Sequence, residues 1–273
     1  MSAAAPPLED VAQRAITGDQ HALQELVRQI QDPLHRLATR MLANPEDALE
    51  ATQEILIRIV TKLSTFKGDS AFMTWAYKVA SNYLLSARKS LAKEQGLTFE
   101  VFEQDLLDGL VDEAAENPED AWALKELRIR CTMALLLCLD RPHRIAYVLG
   151  EILETDHREA AIILDVSAAT YRKRLSRARE KVQAATQRNC GIVNDAAPCS
   201  CPRRLPRSER LGRVDRRALV YAHHDAPSQV EVMDRVRVVE QSLRTLVQQR
   251  ATGPLRSPKD FGEDIAKMTA IQA

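Results

Sequence analysis

Hydrophobic positions recur along this chain at intervals of three and four, and proline and capping residues divide the pattern into successive helices. The first run is Leu23, Leu26, Val27, Ile30, Leu34, Leu37, Ala38 and Met41, with Asp32-Pro33 inside it. Proline removes a backbone donor and crowds the preceding turn, so two helices or one kinked helix are expected there. Asn44-Pro45 ends that stripe and starts another, because proline suits the first helical position while Glu46 and Asp47 suit the positive end of the helix dipole. Leu49, Thr52, Leu56, Ile59, Val60 and Leu63 carry the next helix. After Lys67-Gly68-Asp69-Ser70, where Asp69 or Ser70 is the expected N-cap, Phe72, Trp75, Ala76, Val79, Tyr83 and Leu84 mark a fourth apolar face.

The pattern then weakens. From Glu94 to Asp120 there are ten acidic residues and no Lys or Arg, with scattered apolar residues such as Leu97, Phe99, Phe102 and Leu106, so a linker able to dock loosely is expected. Asn117-Pro118-Glu119-Asp120 restarts helix, and Trp122, Leu127, Cys131, Leu135 and Cys138 continue it. Pro142 opens a helix carrying Ile145, Val148, Leu149 and Ile152. Asp156 caps a short one with Ala160, Ala161 and Leu164, and Ser167 caps the next, with Tyr171, Leu175, Ala178 and Val182 inward. Two short helices joined by a few residues, the second strongly basic, form a helix-turn-helix pattern. Beyond Gln187 the texture changes to cysteines, prolines and an arginine-rich stretch from Arg203 to Arg217, followed by an amphipathic helix with Met233, Val236, Val239, Leu243, Leu246 and Val247 on one side.

Composition agrees with an all-α fold. Nine glycines in 273 residues, few aromatics and abundant Ala, Leu, Arg, Glu and Gln leave little material for sheets. The expected organisation is an N-terminal tail 1–17, a helical domain 18–90, an acidic linker 91–117, a helix-turn-helix domain 118–187 and a partly helical C-terminal extension 188–273. Absence of a long apolar stretch and of a cationic, apolar leader points to the cytoplasm, with no membrane association. Total charge is uninformative, since 38 basic residues face 38 acidic ones. Its distribution is not, because Arg172 to Lys181 holds six basic residues against Glu180 alone.

Two places therefore carry candidate chemistry. In a helix-turn-helix the second helix enters the major groove, which puts Tyr171, Arg172, Lys173 and Arg174 near bases and phosphates. The segment from Phe66 to Arg88 interleaves charge (Lys67, Lys78, Arg88) with rings (Phe72, Trp75, Tyr77, Tyr83) and an amide (Asn82), a combination that can hold unstacked bases while cations follow the backbone. Phe72, Trp75 and Tyr83 equally fit a buried stripe. No phosphate loop, nucleophile elbow or HExxH occurs, so an enzyme is not expected.

At these residues the chain resembles the bacterial extracytoplasmic-function sigma factors, the minimal class with only regions two and four. Leu34 to Lys89 resembles region two and Leu135 to Val182 region four. The resemblance implies an RNA polymerase sigma factor directing promoter-specific initiation. Glu46, Asp47, Glu50, Gln53, Glu54 and Arg58 would then bind core polymerase. Lys67, Ser70, Phe72, Lys78, Asn82 and Arg88 would melt and read the minus-ten element; Ser167, Thr170, Tyr171, Arg172, Lys173, Arg174 and Arg177 would read the minus-thirty-five element. Partners implied are the polymerase core, promoter DNA, and an anti-sigma factor or intramolecular regulation by the extension. Ala51 stands where an acidic residue is common and Glu159-Ala160-Ala161 where Glu-Ile-Ala is usual. The alternative is a helix-turn-helix regulator that binds duplex DNA without polymerase.

The extension lies outside that resemblance. Cys190, Cys199 and Cys201, with His223 and His224 downstream, leave three readings open: a zinc site, thiol redox sensing, or ordinary reduced cysteines with no cofactor.

Overall fold

The computed structural model describes residues 7–86, 96–111, 117–223 and 225–270. Those residues form thirteen α-helices and no strand. They divide into two compact units, each assembled from separated stretches of chain: residues 1–88, 156–171 and 255–273 in the first, residues 89–155 and 172–254 in the second.

The first unit is built on α1 (Leu8–Ile16), α2 (Gln20–Leu42), α3 (Pro45–Thr61) and α4 (Phe72–Ser86). Pro33 does not divide α2, which runs unbroken through it because its apolar stripe is anchored on both sides. Leu26, Val27, Ile30, Leu34 and Leu37 are all fully buried, each worth about 1.5–3 kcal/mol on burial, and together they outweigh the missing backbone bond and the proline clash. Ala43 ends the helix in the left-handed region at φ 51°, its N–H reaching the Thr39 carbonyl at 2.8 Å. Asn44 caps α3 by accepting from the Asp47 N–H at 2.9 Å, with Pro45 at the first helical position. The α4 start is met from outside its own loop, since the Phe72 N–H donates to Glu9 of α1 at 3.2 Å while the Ser70 hydroxyl turns to the Ala71 carbonyl.

Two distant stretches complete this unit. Helix α8 (His157–Ile163) packs on α4, and α13 (Gly262–Ala270) packs on α2. The entry to α13 is pinned by the Ser257 N–H to Asp32, the Phe261 N–H to Gln31 and the Arg28–Asp260 pair, at 2.9, 2.9 and 2.8 Å.

The second unit is organised around α6 (Ala121–Leu137), with α5 (Phe99–Leu107), α7 (Arg141–Tyr147) running into a π-helical turn at Val148–Ile152, α9 (Ala168–Asn189) from Arg172 onward, α10 (Cys201–Arg210), α11 (Gln229–Arg237) and α12 (Gln241–Arg250). Helix α6 is covered nearly all round, so its charged side chains are buried too, and the extension supplies their partners. Lys125 donates to the His223 carbonyl at 3.2 Å. One oxygen of Glu126 accepts from the Val220, Tyr221 and Ala222 amides at 3.2, 2.6 and 2.9 Å, and Arg128 donates to the carbonyls of Ala251 and Pro227. The described part of the acidic linker, 96–111, packs against the same extension. Phe102 and Leu106 of α5 are buried, Asp105 binds Arg204 and Arg213, and Asp108 binds Arg207. Among the described residues no helix is long and apolar enough to cross a membrane.

Candidate nucleic-acid interface

The turn that sets the basic helix is built from local chemistry. Asp156 opens α8 by accepting from the Arg158 and Glu159 amides. After α8 the chain reverses at Asp165 in the left-handed region, φ 53°, with the Val166 N–H returning to the Ala161 carbonyl at 3.1 Å. Ser167 then caps α9, its Oγ accepting the Thr170 N–H at 3.1 Å and lying 2.9 Å from the Thr170 hydroxyl. Both residues are exposed at the helix start, as is Ala169 between them.

Beyond that turn, Arg172, Lys173 and Arg177 are exposed and Arg174 is half-buried. None of these four makes an ion pair to another described residue, so their charge is directed outward. Arg179 differs, being tied to Glu151 of the π-helical turn with Nε at 3.0 Å. Tyr171 is a correction to the expected set: its side chain is wholly buried, so it supports the helix from beneath and does not reach a base edge.

In the first unit, Lys67 and Asn82 are exposed and Ser70 is half-buried, the amide lying on the outer face of α4. Phe72 is the second correction. It is fully buried, with Phe66 edge-on at 5.1 Å and Trp75 at 5.5 Å, which makes it the base of an aromatic cluster and not a stacking platform. Tyr77 is half-buried, and burial pushes its phenol up to about 12. Lys78 pairs with Asp165 at 3.2 Å, and the Thr74 hydroxyl, buried on the same helix, donates to Glu159 of α8. The minus-ten candidates and the helix-turn-helix turn thus meet within one unit. Arg88 and His224 lie outside the described residues.

The six positions on α3 form a coherent outer face. Glu46, Glu50 and Arg58 are exposed, Asp47, Gln53 and Glu54 half-buried, while Ala48, Ala51, Thr52, Ile55 and Ile59 face the core. Arg58 lies over the Tyr83 ring at 5.0 Å, joining this face to α4. Beneath it His35 is held by Thr52: the Thr52 hydroxyl donates to the Ala48 carbonyl at 2.6 Å, so its oxygen is the acceptor for the His35 Nδ1–H at 2.9 Å. Burial lowers the His35 pKa and keeps the ring neutral.

Comparison with known proteins places these two surfaces in one family. The Sigma-70 region 2 model matches residues 26–94, and the Sigma-70 region 4 model matches residues 129–182. The sigma-E factor of Escherichia coli K12 is 32% identical over 178 residues, 63% of this chain and 90% of that protein. This chain belongs to the extracytoplasmic-function sigma factors. Another such sigma factor, SigW of Bacillus subtilis, is 30% identical over 178 residues, 61% of this chain and 89% of that protein. Among solved structures, a sigma factor RpoE in complex with the anti-sigma factor NepR, from Bartonella quintana, matches at TM-score 0.42 and 20% identity, covering 60% of this chain and 95% of that one. The region models leave 183–273 unmatched, so the extension of this sigma factor has no counterpart in either.

The residues that sequence reasoning missed lie in that extension and in the helix it covers. Cys131 falls on the helical spacing with Trp122, Leu127, Leu135 and Cys138, whereas Glu126 and Arg128 lie off it. Beyond the local Arg130 pair, Glu126 bonds the amides of 220–222 and Arg128 the carbonyls of 227 and 251, all more than 90 residues away, and no local signal points to these contacts.

Proposed function

We propose that this sigma factor is the dissociable promoter-recognition subunit of bacterial RNA polymerase, acting by binding and without catalysis of its own. The α3 face from Glu46 to Arg58 engages the core enzyme. Lys67, Ser70, Lys78 and Asn82 hold the melted minus-ten strand, with Phe72 supporting them from the core. Arg172, Lys173, Arg174 and Arg177 contact the upstream element, positioned by the Ser167 and Thr170 cap. One observation carries this reading: the paired, ordered matches to regions two and four occur in a chain whose basic helix face, after the capped turn, is exposed and unpaired. Phosphate contacts supply affinity and register, while arginine pairing with guanine supplies sequence discrimination.

Reconstitution tests it. Core polymerase with the full chain, transcribing a pool of genomic fragments, should yield initiation from a defined subset of templates that core alone does not use. No promoter-specific transcript from any template sinks the proposal. Tight, specific duplex binding by the chain without core enzyme would favour an independent regulator instead.

A further inference from the structure

Four of the five cysteines converge on one cavity in the second unit. It measures about 320 Å³ and is lined by Cys131 of α6, Cys190 just after α9, and Cys199 and Cys201 at the start of α10, with Val101, Leu127 and Ile192 among its apolar walls. Cys190 and Cys199 stand opposite each other across a single parallel bridge, where the Gly191 N–H donates to the Cys199 carbonyl at 2.8 Å and the Cys199 N–H to the Asn189 carbonyl at 3.1 Å. The fifth, Cys138, is not part of this wall.

We propose that Cys131, Cys190, Cys199 and Cys201 are the ligands of a thiophilic, tetrahedrally coordinating metal ion of the zinc class, which fastens the extension to α6 within the second unit. Three observations carry this. Four sulfur donors around one space meet the ligand number and softness of such an ion, whereas the cavity's one carboxylate, Asp105, is already held by Arg204 and Arg213, leaving little for a magnesium- or calcium-type ion. A divalent ion with four thiolates is a dianion, and two buried guanidiniums border the cavity. Arg128 is wholly buried, and its Nε has no hydrogen-bond partner although its other nitrogens donate to the Ala251 and Pro227 carbonyls; Arg204 is nearly as buried. A cationic rim around apolar walls is unfavourable for a bare cation and suits a tetrathiolate.

The same surroundings argue against a peroxide-sensing thiol pair. Burial pushes all four thiols up, Cys199 to about 11, and a protonated thiol is a poor nucleophile. Metal coordination is the reaction that removes those protons, one released from each sulfur as its bond to the ion forms. With the four as free thiols, no group of three His, Cys, Asp or Glu among the described residues stands close enough to hold an ion. Coordination therefore requires the four sulfurs to approach one another across the cavity they share.

Cobalt(II) is the probe. The full chain, purified under reducing, chelator-washed conditions, should bind one cobalt ion with intense thiolate-to-metal charge-transfer bands and the visible bands of a tetrahedral centre, all abolished by one equivalent of zinc(II). Cys131→Ser and Cys199→Ser, each checked for helical content, should lower zinc affinity by more than the roughly 10- to 100-fold typical of losing a residue behind a ligand. Cys138→Ser should leave it unchanged. Absence of the charge-transfer bands in the wild-type chain overturns the site whatever the variants do. So does their persistence at full strength in Cys131→Ser, or an intramolecular disulfide forming readily with peroxide in a chain that binds no zinc.

Discussion

Glu126→Ala would remove the acceptor that holds the extension at residues 220–222. Its carboxylate is fully buried on α6, with one oxygen accepting three consecutive backbone amides and the other accepting from Arg130 Nε at 2.6 Å. Arg130 is partly exposed and also lies over the Tyr221 ring, so it can turn to water. The Tyr221 and Ala222 amides cannot, being buried. Each orphaned donor costs about 1–3 kcal/mol, and deleting one side of a buried charged pair about 3–5 kcal/mol, so the loss should be about 3–5 kcal/mol for the second unit. For a unit of this size that is a fall of roughly 6–20 °C in melting temperature. Glu126→Gln keeps the shape and one acceptor oxygen, losing the charge and the fit to Arg130, and should cost about 1–2 kcal/mol. Urea unfolding gives the magnitude and hydrogen exchange gives the place, because amides 220–222 should lose protection first. A cost under about 1 kcal/mol for Glu126→Ala, or unchanged exchange at 220–222, would refute the docking of the extension on α6.

Phe72→Ala should cost about 3–5 kcal/mol in the first unit, as loss of a fully buried ring does; a stable variant defective only in promoter melting would restore Phe72 to the DNA surface. Arg172→Ala, Lys173→Ala and Arg177→Ala should each reduce the salt slope of holoenzyme–promoter binding by about one while shifting stability by less than about 0.5 kcal/mol, read from affinity titrations at several KCl concentrations and from melting curves. Asp165→Asn removes the exposed pair with Lys78 yet keeps a residue that tolerates positive φ, so the melting curve should move by under about 1 kcal/mol. His35 has its folded-state pKa lowered by burial, so the unfolded chain takes up a proton first. Stability of α2 and α3 should fall as pH drops below about 6.5 and level off below the folded-state value, and His35→Gln should flatten that dependence in pH-resolved exchange.

What the sequence revealed and what it hid divide by range of interaction. Asn44, Asp156 and Ser167 cap helices through bonds spanning two or three residues, and the acid-rich α3 face follows from spacing alone, so all were readable locally. Pro33 left two helices or one kinked helix open, and the single helix α2 resolves the choice because the long apolar stripe overrides the local cost. Phe72 and Tyr171 show the ambiguity of aromatics beside cations, where the same spacing serves a core or a stacking surface and only packing decides. Helix α6 was the hardest to read. A charged residue opposite an apolar stripe signals solvent unless another segment covers it, and the cover here comes from residues between 220 and 251, whose amphipathic spacing does not say which helix they cover.

The balance of 38 positive and 38 negative residues acquires a meaning from these pairings. The linker is acidic and the extension arginine-rich, and the two consume each other within one unit: Asp105 with Arg204 and Arg213, Asp108 with Arg207, Asp120 with Arg216, and Glu103 with Arg188 at the end of α9. Arginines 203 to 216 are thus largely committed to protein partners, Arg203 through the Val111 and Pro198 carbonyls. An arginine-rich run that would read as a second nucleic-acid patch is instead the counter-charge of the linker. The cations left facing outward without an acidic partner include Arg172, Lys173 and Arg177, early on the helix that the Ser167 cap positions. Removing the Asp105 charge by Asp105→Asn should release the half-exposed Arg213, Arg204 staying buried on the Asp108 carbonyl, and raise non-specific DNA binding by the free chain, whereas the same substitution in a chain whose extension were solvated would leave that binding unchanged.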